Sequence, residues 1–137
     1  MEKRSILAID PGSHKVGYAV VYDDLSHGKM GIVAPDVLAT IFKEFFINEE
    51  EPVMAIGDGT KSDNICNIFL ENFPKGKIVK VNEKNTTFNA RKKYFQENPP
   101  KWFWKFIPLS LQYPQRPIDD YAAWMIGEKY FNEYTNS

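Results

Sequence analysis

Five acidic residues follow a short apolar run or open a predicted helix, where a carboxylate could bind a divalent cation: Asp10, Asp58, Glu83, Asp119 and Asp120. Each one alone fits the ordinary role of an acid in a turn or in the first turn of a helix. Brought together, such carboxylates repel one another unless a cation neutralises them. Oxygen ligands of this kind select Mg²⁺ or Mn²⁺ over zinc. Two such ions about 4 Å apart would clamp the attacking water and the leaving oxygen of a phosphodiester, which predicts hydrolysis of nucleic acid.

Asp10 on its own is best explained as a turn residue. It precedes Pro11, Gly12 and Ser13, and its carboxylate could accept hydrogen bonds from the backbone amides of Gly12 or Ser13. Its position at the end of a buried strand is also where α/β sheets place their ligands. The metal-binding interpretation therefore depends on whether other acids arrive at the same place.

The acids converge only if the segments that carry them form one sheet. Short apolar or alternating segments predict five strands, at residues 5–9, 15–22, 29–33, 53–56 and 78–81. Apolar residues at helical spacing predict four helices. The first starts at Pro35, the second is capped by Ser62 or Asp63, the third is capped by Thr86 or Thr87, and the last begins near Pro117. An antiparallel meander of three strands followed by alternating helices and strands predicts an α/β fold, with a mixed sheet and helices on both faces.

Two geometric arguments connect this fold to the acids. If the fourth and fifth strands are parallel neighbours of the first, Asp10, Asp58 and Glu83 emerge at one edge of the sheet. On the last helix, Asp120 lies about 100° around the axis from Asp119. Asp119 shares an apolar stripe whose two alanines would allow close approach to the sheet: Ala122, Ala123, Ile126 and Tyr130. Asp119 is therefore the first choice as a ligand, with Asp120 as the alternative.

Composition narrows the class of protein. The chain has 137 residues, of which 43% are hydrophobic and 15% aromatic, and residues 1–137 are predicted to form a single domain. The N-terminal apolar run is too short for a signal peptide or a membrane span, so we expect a cytoplasmic protein with no membrane partner. A lone Cys66 and only two histidines, His14 and His27, argue against a disulfide and a structural zinc site.

Charge is distributed unevenly along the chain. Residues 75–116 contain ten basic and two acidic residues, although the whole protein has a net charge of −1. Such a segment can form a positive face that binds phosphates, or it can be an ordinary solvated surface. The asymmetry therefore favours a nucleic-acid partner without requiring one.

Three motifs resemble those of one group of nucleases. Ile9-Asp10-Pro11-Gly12-Ser13, followed by Val16-Gly17-Tyr18-Ala19-Val20, resembles the opening of RuvC-type Holliday junction resolvases. Val81-Asn82-Glu83-Lys84-Asn85-Thr86-Thr87 is similar to the Asp-Glu-Arg-x-Thr-Thr element of the YqgF family, whose known roles include trimming of ribosomal RNA precursors. Ile118-Asp119-Asp120-Tyr121-Ala122-Ala123 is similar to the closing Val-Asp-x-x-Ala-Ala helix of the YqgF family.

This resemblance implies a ribonuclease H-like fold with a mixed five-stranded sheet and a divalent-metal-dependent endonuclease activity. It further implies that Asp10, Glu83 and Asp119 are the catalytic, metal-binding acids, while Asp58 and Asp120 are additional candidate ligands. The chain departs from the pattern at three positions. Asn82 and Lys84 stand where the YqgF family often has Asp and Arg, and Gly57 stands near the place where RuvC has an acid.

Contacts with nucleic acid are predicted around these acids. The candidates are Ser13, His14, Lys15, Lys84, Arg91, Lys92, Trp102, Trp104 and Lys105. The last three belong to a segment that interleaves lysines with aromatics, as in surfaces that stack unpaired bases. Packing of these aromatics in the core or at a subunit interface is the alternative explanation. Likewise, His14 fits a surface turn, and Arg91 and Lys92 fit a solvated helix face.

Three functional hypotheses follow, in decreasing order of preference. The first is an endonuclease that binds two Mg²⁺ or Mn²⁺ ions and cleaves branched DNA or structured RNA. The second is a catalytically inactive ribonuclease H-like module that binds such nucleic acids without cutting them. The third is a relative of actin and sugar kinases, which also have an Asp-x-Gly-Ser loop but need two domains. The sequence leaves the oligomeric state open, and a homodimer is one option.

Overall fold

The computed structural model describes residues 4–59, 61–99, 114 and 116–135. Five strands form one sheet: β1 (Ser5–Asp10), β2 (Val16–Tyr22), β3 (His27–Val33), β4 (Val53–Gly57) and β5 (Lys77–Val81). Their order across the sheet is β3-β2-β1-β4-β5, with β1, β2 and β3 antiparallel and with β4 and β5 parallel to β1. The predicted mixed sheet is confirmed.

The register of the parallel strands brings the ends of three strands to one edge. Ile9 of β1 pairs with Ile56 of β4, and Gly57 of β4 pairs with Val81 of β5. Asp10, the last residue of β1, pairs with Gly17 of β2. The segments that follow β1, β4 and β5 therefore leave the sheet side by side, as α/β folds require of a ligand site.

Four α-helices cover the sheet: α1 (Leu38–Phe45), α2 (Ser62–Asn72), α3 (Thr86–Glu97) and α4 (Asp119–Lys129). A 3₁₀ turn (Pro35–Val37) precedes α1, and a π-helical turn (Tyr130–Tyr134) follows α4. None of these helices in the described part of the chain is both long enough and apolar enough to cross a membrane.

Alternation along β1 divides the core into two layers. Leu7 and Ile9 point to one face, where they pack with residues of α1 and α2, including Phe42 and Phe69. Ile6 and Ala8 point to the other face, where they pack with residues of α3 and α4. All four β1 side chains are almost fully buried, as expected of a central strand covered on both faces. The prediction of helices on both faces is confirmed.

Two predicted helix caps differ from the structure, in which the residue before each predicted cap takes the capping position. Lys61, rather than Ser62 or Asp63, precedes α2, and it makes no side-chain capping hydrogen bond. Thr86 is the first residue of α3, and Asn85 before it has a left-handed backbone with φ of 68°. Asn tolerates that conformation better than most residues because its short polar side chain can hydrogen bond locally.

Small residues bring α4 unusually close to the sheet. A Cβ atom at Gly127 would lie 2.7 Å from Cβ of Val21 and 3.2 Å from Cβ of Ala8. These neighbours are buried strand residues and cannot move aside cheaply. The closeness of α4 to β1 and β2 therefore depends on glycine at position 127.

We expect Gly127→Ala to destabilise the protein, although alanine is normally the better helix former. Overpacking against Val21 should outweigh the propensity gain and lower the free energy of unfolding by about 1–3 kcal/mol. Urea denaturation followed by circular dichroism measures this difference. An unfolding free energy equal to or above that of the wild type would contradict the close packing of α4.

Candidate active site

Three carboxylates from distant parts of the sequence line one open cavity of about 200 Å³. Asp10 comes from the end of β1, Glu83 from the loop after β5, and Asp119 from the first turn of α4. The rest of the lining comes from α3 and from the start of α4: Thr86, Thr87, Ala90, Ile118 and Ala122. The sheet edge and two helices therefore enclose a small acidic cavity.

The pKa of Asp10 is raised from 3.8 to about 8. Burial contributes most, because it penalises the charged form; a side-chain hydrogen bond with Glu83 and the charges of Glu83 and Asp119 add to the shift. Near neutral pH, the Asp10 carboxyl can therefore hold a proton between itself and Glu83. A cation that entered the cavity would displace this proton and neutralise the same repulsion.

The Glu83 side chain occupies space that exists because two glycines flank Asp58. A Cβ atom at Gly57 would lie 2.6 Å from the carboxyl carbon of Glu83, and one at Gly59 would lie 2.7 Å from Oε2. The Glu83 backbone N–H also donates to Oδ1 of Asp58 at 3.3 Å. The loop after β4 therefore both makes room for Glu83 and holds its backbone.

Asp119 reaches the cavity because β2 has glycine opposite Asp10. A Cβ atom at Gly17 would collide with the backbone carbonyl group of Asp119 and would lie 2.8 Å from the backbone nitrogen of Asp120. The first turn of α4 therefore sits directly on the β1–β2 pair at the level of Asp10. Any larger residue at position 17 would push the helix away.

Asp120 is directed elsewhere. It is buried, and its carboxylate accepts hydrogen bonds from Nη1 and Nη2 of Arg116 at 3.2 and 3.3 Å, as well as from the Tyr121 backbone N–H. The same pairing is the main cause that raises the pKa of Arg116. Asp120 does not line the cavity, and its bidentate ion pair anchors the start of α4.

Asp58, the other additional candidate ligand, is exposed and also lies outside the cavity lining. Its carboxylate accepts the hydrogen bond from the Glu83 backbone. Of the five acids predicted from the sequence, the structure therefore brings together Asp10, Glu83 and Asp119, while Asp58 and Asp120 support the segments that carry them.

The residues predicted to contact nucleic acid lie at the surface where they are described. Ser13, His14 and Lys15 are exposed in the turn after β1, Lys84 and Lys92 are exposed, and Arg91 is half-buried. Trp102, Trp104 and Lys105 lie outside the described residues. The structure therefore leaves the proposed stacking surface as a prediction.

The donor set fits a hard divalent cation. All three side chains that converge are carboxylates, which are the ligands of Mg²⁺ and Mn²⁺ and not of structural zinc. Within residues 4–59, 61–99, 114 and 116–135, no three His, Cys, Asp or Glu side chains are close enough to hold a metal ion in common. What fits a cation is therefore the chemistry of the three oxygen donors that line the cavity.

The fold is similar to that of RuvC from Thermus thermophilus. One similar structure is that of T. thermophilus RuvC in complex with Holliday junction substrate. It matches with a TM-score of 0.51 and 11% sequence identity over 96% of both chains. Another Thermus thermophilus RuvC structure gives the same TM-score and identity over 96% of this chain and 98% of that one. The predicted ribonuclease H-like fold is therefore confirmed. A sugar kinase from Cytophaga hutchinsonii reaches a TM-score of only 0.44, which supports no argument.

No protein-family model and no curated protein matches the chain.

Sequence reasoning did not assign Gly17, Gly57, Thr86 and Thr87 to the site. Both glycines were visible as breaks in otherwise regular segments, since glycine inside or at the end of a strand often marks the close approach of another group. The two threonines were interpreted as helix caps. In the structure Thr86 donates from its hydroxyl to the Glu83 carbonyl at 2.8 Å, which ties α3 to the loop that carries Glu83.

Gly57→Ala and Gly17→Ala should separate a local effect on the site from an effect on the fold. At position 57 the nearest atoms to the new methyl group all belong to the flexible Glu83 side chain, which can rotate away. We expect a free energy of unfolding within about 1 kcal/mol of the wild type and Mn²⁺ binding about tenfold weaker.

At position 17 the methyl group meets the backbone of α4, so we expect a loss of about 1–3 kcal/mol in unfolding free energy.

Isothermal titration with Mn²⁺ and urea denaturation measure the two quantities. Unchanged Mn²⁺ affinity in a folded Gly57→Ala protein would contradict the placement of Glu83 against Gly57.

Asp10→Asn should stabilise the metal-free protein in a pH-dependent way. The folded-state pKa of Asp10, about 8, lies above the unfolded value near 3.8, so wild-type stability falls as pH rises between these values. Asparagine cannot ionise and avoids this loss. The variant should exceed the wild type by on the order of 1–3 kcal/mol at pH 8.5, and by little at pH 5.

Thermal unfolding in EDTA at both pH values measures the difference. Asp63→Asn, which changes an exposed carboxylate on α2, is the matched control. A stability gain that is equal at pH 5 and pH 8.5 would contradict the raised pKa.

Proposed function

We propose that this protein is a divalent-metal-dependent endonuclease that hydrolyses phosphodiester bonds in structured nucleic acid. The observation that carries the proposal is the convergence of Asp10, Glu83 and Asp119 on one cavity at the end of the central strand. These acids are separated by 73 and 36 positions in the sequence, and each is held there by its own structural element. The RuvC-like fold supports the same function, since the similar structure is titled as bound to a Holliday junction substrate.

In this proposal Asp10, Glu83 and Asp119 hold two Mg²⁺ or Mn²⁺ ions. When bound, such ions lower the pKa of a water molecule and stabilise the charge that develops on the phosphate. Carboxylates bind such ions in the ionised form, so binding would release the proton on Asp10. The exposed Thr87, at the first turn of α3, borders the cavity and can donate a hydrogen bond to a phosphate oxygen.

Branched DNA is the substrate class we favour, and ribosomal RNA precursors are the second. Basic residues that flank the cavity could contact the phosphates on both sides of the cleaved bond. Lys15 follows the turn after Asp10, and Lys84 directly follows Glu83; both side chains are exposed. Assembly as a homodimer would place two such sites on one junction and would favour DNA.

A binding module without nuclease activity is the second candidate. It is favoured by one observation, the absence of a ready three-ligand metal site among the residues that the structure describes. In that case the hydrogen-bonded Asp10–Glu83 pair would be a permanent feature of the fold. The two candidates differ in whether Mn²⁺ binds to the carboxylates and whether any substrate is cut.

Cleavage assays should distinguish these candidates. With a four-way DNA junction, a duplex and a folded RNA as substrates, we expect Mn²⁺-dependent cleavage of the junction or the RNA. Asp10→Asn, Glu83→Gln and Asp119→Asn should each lower the rate at least about 100-fold, because each removes a charge that the ions require. Asp63→Asn removes a carboxylate outside the cavity and should cleave like the wild type.

Full activity in Asp10→Asn would refute the nuclease proposal. Binding of the junction without cleavage by the wild type, at every Mn²⁺ concentration, would support the binding module instead. The salt dependence of that binding would then report how many phosphates are contacted.

A further inference from the structure

The loop that carries Glu83 is fastened by the C-terminal end of α4, the same helix that supplies Asp119 from its first turn. Nζ of Lys129, the last residue of α4, donates to the backbone carbonyls of Asn82 and Lys84, at 2.8 Å each. These two residues lie directly before and after Glu83. The ammonium group of Lys129 therefore joins the two backbone carbonyls on either side of Glu83.

The other backbone groups of this loop are also held. The Asn82 N–H donates to the Tyr134 hydroxyl at 3.1 Å, and the Lys84 N–H donates to the Asn82 side chain at 2.7 Å. The Glu83 N–H donates to Asp58, and its carbonyl accepts from Thr86. Every backbone N–H and C=O of residues 82–84 thus has a partner, and Lys129 provides two of the six.

Such complete hydrogen bonding is unusual for a short loop whose residues Asn82 and Lys84 are exposed. The loop ends at Asn85, which has a left-handed backbone conformation. The carboxylate of Glu83 lines the same cavity as Asp10 and Asp119, so the position of this loop sets how Glu83 meets the other two acids. Removing Lys129 would release the carbonyls on both sides of Glu83, and only water could replace the ammonium group.

We propose that Lys129 is the positioning residue for Glu83, and that it sets the affinity of the site for a divalent cation. The role in cation binding rests on the proposed function, whereas the contact between Lys129 and the loop is independent of it. A lysine suits this role because an ammonium has several donors on a flexible stem and can satisfy two carbonyls at once. Tyr134, from the π-helical turn after α4, assists through a neutral hydrogen bond to the same loop.

Lys129→Met, Tyr134→Phe and Lys80→Met form a matched set of full-length variants. Lys80 lies on β5 just before the loop and makes an exposed ion pair with Asp63, so its replacement removes the same charge near the same place. Tyr134→Phe loosens the loop without changing any charge. Circular dichroism and thermal unfolding establish that each variant is folded, and Lys129→Arg tests rescue by another cationic donor.

Two measurements carry the test. Without metal, hydrogen exchange of the backbone amides of residues 82–84 should be at least about tenfold faster in Lys129→Met than in the wild type or Lys80→Met. With Mn²⁺, calorimetry should show affinity about tenfold weaker in Lys129→Met, less weakened in Tyr134→Phe, and partly restored in Lys129→Arg. Equal exchange and equal Mn²⁺ affinity in Lys129→Met and Lys80→Met would overturn the inference.

The outcome also separates this inference from the proposed function. If the wild type binds Mn²⁺ but cleaves none of the substrates, the nuclease proposal fails, while weaker Mn²⁺ binding by Lys129→Met still supports the positioning role. If the wild type cleaves with Mn²⁺ and Lys129→Met shows the same half-saturating Mn²⁺ concentration as Lys80→Met, the positioning role fails and the nuclease proposal stands. If the wild type binds no Mn²⁺, the role in cation affinity fails whatever the exchange data show.

Discussion

The cost of a charge on Asp10 at the end of β1 is the constraint on which the site depends. Burial first, and then the hydrogen bond with Glu83 and the charges of Glu83 and Asp119, raise the pKa of Asp10 to about 8. A protein without a use for such a cluster would be more stable with a neutral residue at position 10. Hydrogen bonds to the backbone that carries these acids maintain the arrangement. These interactions lie outside the cavity and offset the unfavourable free energy of bringing the carboxylates together.

Space for the carboxylates is created by residues that lack side chains. Gly17 allows the first turn of α4 to rest on the β1–β2 pair, and Gly57 leaves the volume that the Glu83 carboxylate fills. Gly127 allows the other end of α4 to lie close to β1 and β2. These three glycines determine how near Glu83 and α4 can come to the central strands.

The sequence was sufficient to predict the sheet because apolar alternation and turn residues act locally. It also identified Asp10, Glu83 and Asp119 as candidates, since the motifs place the first two acids at the ends of strands and the third at the start of the last helix. It could not exclude Asp58 or Asp120, because an Asp in a turn or at a helix start looks the same whether it faces a cavity or an arginine. The pairing of Asp120 with Arg116 depends on how the preceding segment enters α4. The contact between Lys129 and the loop after β5 joins residues 45 and 47 positions apart and leaves no local pattern.

The dual role of α4 explains why it is buried around most of its circumference and has no clear apolar face. Its first turn must lie against β2 so that Asp119 enters the cavity, and its last residue must reach the loop after β5. The contacts at its two ends therefore tie Asp119 and the loop that carries Glu83 to the same helix. This coupling would let a single helix set the spacing of the acids on two sides of the central strand.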